Sequence, residues 1–294
     1  MRTRRIRITW LDIVLLPLFG GLALYLAYRM TVGLEYKWNW GIIPQYLFRY
    51  DAEQQRWVSN LLMQGFLTTI RLSVWSTVLA TLLGTFAGIF RLSPSLFKRM
   101  LGRSYVELIR NIPPLVLVFL FYFFLSDQIM AGLRVDEIVR KSSGHTQQTL
   151  TVLFAPPARL SAFLSAVITL ALYEGAYITE IIRAGIQSIE KGQWEASHAL
   201  GLSWRQQMRH IVLPQAIQRI LPALAGQFIS AIKDSAIVSV ISIQELTFQG
   251  LELMAATYLT FEVWITVTAL YFLLTGTCSL VVRRLEVYFQ RRAT

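Results

Sequence analysis

Five ionisable residues stand inside long apolar runs of this chain: Glu174, Glu180, Arg183, Lys233 and Asp234. A charge at bilayer depth is expensive, so such residues face a protein interior or a polar path. Glu174 has Tyr173 beside it and Tyr177 one turn on, while Lys233 carries the opposite charge and is followed by Asp234 and Ser235. A path lined by Glu174, Tyr177, Lys233, Asp234 and Ser235 offers both signs of charge to a polar solute; the competing reading is pairing between helices that fixes a bundle. Glu180 and Arg183, three apart with the acid first, can pair on one helix face. Lys233 and Asp234 are adjacent, point in different directions and need separate partners.

The same residues exclude several chemistries. His145, His198 and His210 fall in no metal-binding spacing, and the lone Cys278 excludes an internal disulfide or a cysteine zinc site. No His-Glu-x-x-His pattern, nucleophile elbow or phosphate-binding Gly-x4-Gly-Lys-Ser/Thr loop occurs. No catalytic residue, metal or cofactor is expected, and the chain cannot bind ATP through such a loop.

The elements that position these residues are membrane helices. Of the 294 residues, 54% are hydrophobic and 15% charged, against about 25% charged in soluble domains. Six segments, roughly 12–32, 61–90, 104–126, 159–185, 215–245 and 261–282, approach the length of about 20 residues needed to span the hydrocarbon core. The net charge of +11 gathers at span ends, which reads as the positive-inside bias and not as nucleic-acid binding. Arg2, Arg4, Arg5 and Arg7, the loop with Arg91, Lys98, Arg99 and Arg103, the stretch with Lys191, Arg205 and Arg209, and Arg283, Arg284, Arg291 and Arg292 all fall on one side. Both termini are therefore expected in the cytoplasm. The first segment has a rival reading as a cleaved signal peptide, but its run is long and no small-residue cleavage site follows. Residues 127–158 are expected to form an extracytoplasmic loop. Gly84 and Gly88 suit close helix approach. Pro113-Pro114 and Pro222 suggest breaks or kinks, and Gly226 gives packing space.

Between the fourth and fifth spans lies the polar stretch WEASHALGLSWRQQMRHIVLPQ, Trp194–Gln215. Gly201 suits a helix C-terminal stop, and Ser203 with Gln206 matches a capping box opening a new helix. On that helix Trp204, Met208 and Ile211 share one face and Arg205 and Arg209 take another. Pro214 ends the amphipathic piece and fits the start of the next span. The product is two short helices joined by a bend. Short helices are marginal alone, so the elbow lies on lipid or docks into a groove on a partner.

The elbow resembles the loop shared by permease subunits of ATP-binding-cassette importers: Glu-Ala-Ala, three residues, Gly, nine residues, Ile, one residue, Leu-Pro. Here Glu195-Ala196-Ser197, Gly201, Ile211, Leu213 and Pro214 keep every spacing, with Ser197 the one departure. The similarity runs over roughly 61–285. RNIPPLVLVFLFYF, GAYITEIIRAGI, KGQWEA, LPQA and KDSAIVSVI look like the polar amino acid branch. This resemblance implies an all-α membrane protein with about six transmembrane helices, a five-helix permease core plus one N-terminal helix. It implies coupling to a separate ATPase subunit through Glu195, Ala196, Ser197, Gly201, Ile211, Leu213 and Pro214, with Gly201 permitting the bend and Glu195 capping or pairing at the helix turn. It also implies an extracytoplasmic solute-binding protein and a second permease, identical or related.

Three segments are expected: an N-terminal helix and linker at 1–60, a core at 61–285 with the coupling loop at 186–214, and a cytoplasmic tail at 286–294. The competing functions are a secondary transporter, whose paired broken helices are not visible, and a membrane enzyme, for which no catalytic set exists. Such a permease sits among membrane lipid in the bacterial inner membrane, moves a polar amino acid and is itself no enzyme.

Overall fold

The computed structural model describes residues 9–32, 36–53 and 55–293. Arg2, Arg4, Arg5 and Arg7 lie outside the described residues, as do the side chains of Arg291 and Arg292. The chain divides into two compact units, Met1–Gly41 and Ile42–Thr294. The first contains helix α1, Trp10–Val32. Its 23 residues reach about 35 Å at 1.5 Å per residue.

The second unit opens with a helical turn, Ile43–Leu47, and an antiparallel hairpin of β1, Phe48–Asp51, and β2, Arg56–Ser59. Everything after it is helical: α2, Leu61–Arg91; α3, Leu96–Asn111; α4, Pro114–Gly132; α5, Val135–Lys141; α6, Gly144–Leu153; α7, Leu160–Gln187; and α8, Lys191–Ala199. Then follow α9, Trp204–Ile241; α10, Leu246–Thr257; and α11, Thr260–Ala293. Among the described residues, five helices are long and apolar enough to cross a bilayer: α2, α4, α7 with its leading turn, α9 and the Thr260–Arg284 part of α11.

The core is built on α2 against α7, the most extensive helix pair. A Cβ placed on Gly84 would lie 2.6 Å from Ile178 Cγ2 and 2.9 Å from Gly175 O; one on Gly88 would lie 2.9 Å from Ile182 Cγ2. A Cβ on Gly175 of α7 would meet Tyr105 Oη of α3 at 2.7 Å and lie 3.5 Å from Leu83 Cβ of α2. Small residues on both helices thus let the backbones approach, as expected for Gly84 and Gly88. Farther along α7, Gly185 receives Ile220 of α9. Gly226, by contrast, faces open space, so the packing role expected for it is absent within this chain.

At the end of the bundle that carries α10, the wholly buried Glu245 ties three helices. Its carboxylate accepts from the Thr247 and Phe248 amides at 2.9 and 2.8 Å, capping α10. The Tyr271 hydroxyl of α11 donates at 2.8 Å and the Thr69 hydroxyl of α2 at 3.3 Å.

Four expectations need correction. The third span is not 104–126: α3 is a separate amphipathic helix burying Gly102, Val106 and Ile109, and the crossing begins only at Pro114. Ile112 and Pro113 are extended, because a residue before proline is pushed out of the helical region and Pro113 itself has no N–H. Residues 127–158 are mostly helical, containing α5 and α6. The fifth span ends at Ile241 and not at 245, with Ser242 at φ +61°, and α10 was not foreseen. The segment 286–293 continues α11 and forms no separate tail.

The seam between α2 and α7 yields a direct test. Gly84→Val inserts a branched side chain where backbone already meets side chain, and overpacking of this kind costs about 2 kcal/mol. Gly20→Ala, with nothing within 4 Å of its Cβ position, is expected to leave stability unchanged. Thermal unfolding midpoints in detergent compare the two.

Candidate functional site

The elbow leaves α7 at Gln187. Arg219 of α9 donates to Ser188 O at the exit, and Ile189 packs into the cluster formed by Ile182, Ile186, Met208, Val212 and Ile220. After α8, the backbone closes as a left-handed stop. Gly201 has φ +74°, its N–H bonds His198 O at 2.9 Å, and the Leu202 N–H reaches Ser197 O at 3.2 Å. These two bonds are the pairing that a glycine stop provides. The Ser203 amide then donates to Gln206 Oε1 at 2.8 Å, so the capping arm read from the sequence forms. Gln207, buried beneath the bend, donates to Leu202 O at 2.9 Å.

The expected apolar face is shifted. Met208–Val212 is a π-helical turn in which the Leu213 N–H reaches back five residues to Met208 O. That wide turn inserts one residue into the register. Met208, Val212 and Ala216 are buried, while Ile211 is half-buried and Trp204 exposed. Nor does Pro214 end a helix; α9 runs through it, with Pro214 in the first turn after the π segment, where its missing N–H does least harm.

The motif residues divide by exposure. Ser197 is buried, its hydroxyl donating to Trp194 O at 2.8 Å. Ala196, Gly201 and Pro214 are exposed and Leu213 is half-buried. Glu195 lies mid-helix in α8, exposed and without an ion pair among the described residues, so it caps no helix end. The neighbouring Leu200 is 78% exposed, which makes the bend an apolar tip with nothing of this chain over it.

Inside the bundle, Glu174 is fully buried on α7, and Gln227 Nε2 of α9 donates to its Oε2 at 2.6 Å. Asp234, seven residues after Gln227 and on the same face, interacts with Glu174. Tyr173 and Tyr177 share a hydroxyl contact of 3.3 Å, and the Arg110 guanidinium stands 5.4 Å from the Tyr177 ring centroid. The structure thus brings Glu174, Tyr177 and Asp234 to one polar region. It does not bring Lys233, which is exposed and has no ion pair among the described residues, nor Ser235, which is buried with its hydroxyl donating to Ile232 O at 2.7 Å.

Glu180 and Arg183 pair as expected, at 2.8 Å, and Arg91 of α2 joins the same carboxylate. Arg91 was counted only among the basic residues of a loop, and Arg110 and Gln227 were not singled out in the sequence. The spacing of Gln227 and Asp234, two turns apart in an apolar run, is the signal that points to the last of these.

Comparison with known proteins closes the question of kinship. The family described as binding-protein-dependent transport system inner membrane component matches residues 80–294. The probable glutamine ABC transporter permease protein GlnM of Bacillus subtilis is 35% identical over 227 residues, covering 77% of this chain and 92% of that protein. The glutamate/aspartate import permease protein GltJ of Escherichia coli is 31% identical over 249 residues, covering 85% and 94%. A solved structure of an amino acid ABC transporter with histidines superposes with a TM-score of 0.63 at 33% identity, covering 78% of this chain and 94% of that one. A methionine ABC transporter chain at 19% identity shares the fold, with a TM-score of 0.56. The bent helix pair and the spans around it belong with these proteins: the chain is a member of the binding-protein-dependent transport system inner membrane component family, the multi-pass permease subunits of ABC importers.

Proposed function

We propose that this chain passes a polar amino acid inward across the bacterial inner membrane, driven by a separate ATPase subunit seated on the elbow. The observation that carries the reading is the elbow itself. A rigid helix stop at Gly201 holds the apolar Leu200 outward, while Met208, Val212 and Ile220 root the bend in the bundle. Exposed apolar tips of this kind suit insertion into a partner's groove. Relatives named for glutamine and for glutamate and aspartate support the substrate class.

A solute-binding protein delivers the amino acid from outside, and the chain pairs with a second copy or a related permease. The distribution of arginine and lysine supports placing both termini and the elbow in the cytoplasm. The segments 1–60 and 61–285, with a loop at 186–214, remain the working division, and 286–293 continues the last helix. Glu195, Ala196, Ser197, Gly201, Ile211, Leu213 and Pro214 form or support the coupling surface. Glu174, Tyr177 and Asp234 stand along the path, with Gln227 holding Glu174.

Two mutations test this. Gly201→Val places a branched residue in the left-handed region, at a strain of about 1–2 kcal/mol. The variant is expected to reach the membrane yet take up radiolabelled glutamine about tenfold more slowly, with less ATPase copurifying. Full uptake with a normal amount of ATPase would exclude the coupling role. Glu174→Gln is expected to alter the relative uptake of glutamine and glutamate by about tenfold, the scale of one buried charged hydrogen bond. Unchanged rates for both remove Glu174 from the path.

A further inference from the structure

At the end of the bundle that carries α10, a cavity of about 130 Å³ opens between α2, the turn leading into α7, and the junction of α9 with α10. Phe163 stands in the first turn of α7, whereas the elbow follows the last, so the cavity and the elbow lie at opposite ends. The apolar wall comes from Phe163 and Ile243, both buried, and the polar lining from Thr68, Arg159, Ser242 and Gln244. Among the described residues the side chains of Arg159, Ser242 and Gln244 have no hydrogen bond or ion pair, so their donors are unspent. Ser242 is held at φ +61°, a left-handed position uncommon for serine.

A second cation stands beside the cavity. Arg71, one turn beyond Thr68 on the same face of α2, donates to Phe154 O at 3.5 Å, and the next residue, Ala155, is part of the wall. It too has no ion-pair partner among the described residues. No carboxylate lines the cavity. Glu245, which follows Gln244, spends both oxygens on Thr69, Thr247, Phe248 and Tyr271. The cavity is therefore a small polar recess with positive charge and no anion to answer it.

We propose that this cavity seats the side-chain carboxylate of an acidic amino acid, an inference that rests on reading the chain as an amino acid permease. The Arg159 guanidinium meets the carboxylate as a fork, with the Ser242 hydroxyl and the Gln244 amide donating beside it. An amino acid with a neutral amide side chain has no net charge to be drawn in, and no acid in the lining answers its ammonium. Phe163 and Glu174 are eleven residues apart on α7, close to three turns. They share a face about 16 Å apart, farther than one amino acid reaches, so the cavity is a stage separate from Glu174.

The test footprints Arg159 in the full chain, purified with whatever subunits it carries, using the arginine reagent phenylglyoxal and peptide mass spectrometry. Glutamate at about ten times its half-protecting concentration is expected to slow modification of Arg159 about tenfold. Arg99, exposed on α3, should react at an unchanged rate. Glutamine should need about tenfold more solute for the same protection, the scale of one charged hydrogen bond. Ser242→Gly suits the left-handed backbone and should raise the half-protecting concentration of glutamate about fivefold. In cells, Arg159→Gln should slow glutamate uptake about tenfold and spare glutamine uptake. Equal protection by glutamate and glutamine overturns the proposal, as does equal protection by inorganic phosphate or glutamate uptake by Arg159→Gln at the wild-type rate. The two readings fail differently. Uptake of both amino acids with Arg159 unprotected removes this site alone, whereas a wild type that takes up neither removes the permease reading and this assignment with it.

Discussion

The close approach of α2 and α7 is the constraint on which the rest depends. Gly84 and Gly88 leave no room for side chains between them, and in lipid that contact has no hydrophobic driving force of its own. Helices there associate through packing and hydrogen bonds, so the glycines determine how near the two backbones come. From that distance follow the depth of Glu174, the reach of Arg91 to Glu180, and the position where α7 hands the chain to the elbow. A larger residue at Gly84 would displace all three together.

The polar groups of the bundle obey the same constraint from the other direction. Every backbone end inside a bilayer needs an internal partner, and the chain supplies one where a helix starts or stops. Glu245 closes the first turn of α10 and recruits Tyr271 and Thr69. Gly201 and Gln207 close the bend outside the spans. These groups are spent on architecture. Glu174, held by an amide from one side only among the described hydrogen bonds, keeps capacity that the architecture does not use.

Much of this was legible in the sequence because it rests on local chemistry. Apolar runs located the second, fourth and sixth spans to within a few residues, and the Gly201 stop and the Ser203–Gln206 cap were read correctly, while the fifth helix begins at Trp204, well before the expected 215. What escaped is what depends on neighbours. The π turn at Met208–Val212 shifts a face by one residue without any residue that announces it. Ile112 and Pro113 sit in an apolar context that hides the end of α3, although the proline pair carried the signal. Helix α10 is apolar enough to merge with the spans around it, and only Glu245, a buried cap, marks its start. Lys233 and Glu174 were matched by charge, but the helix turns Asp234 toward Glu174 and Lys233 away.

One feature of α9 carries a mechanical consequence. The helix runs without interruption from Trp204, beside the bend, to Ile241 at the far face, 38 residues in all; at 1.5 Å per residue this is about 57 Å. Its two ends are wound differently from its middle, wider at Met208–Val212 and tighter at Ser235–Ile241. A continuous shaft of this kind would turn a sideways push at one end into a tilt of the rod, and Gln227 and Asp234 ride on it. Movement applied near Trp204 would thereby reach the groups facing Glu174 without any loop having to carry it.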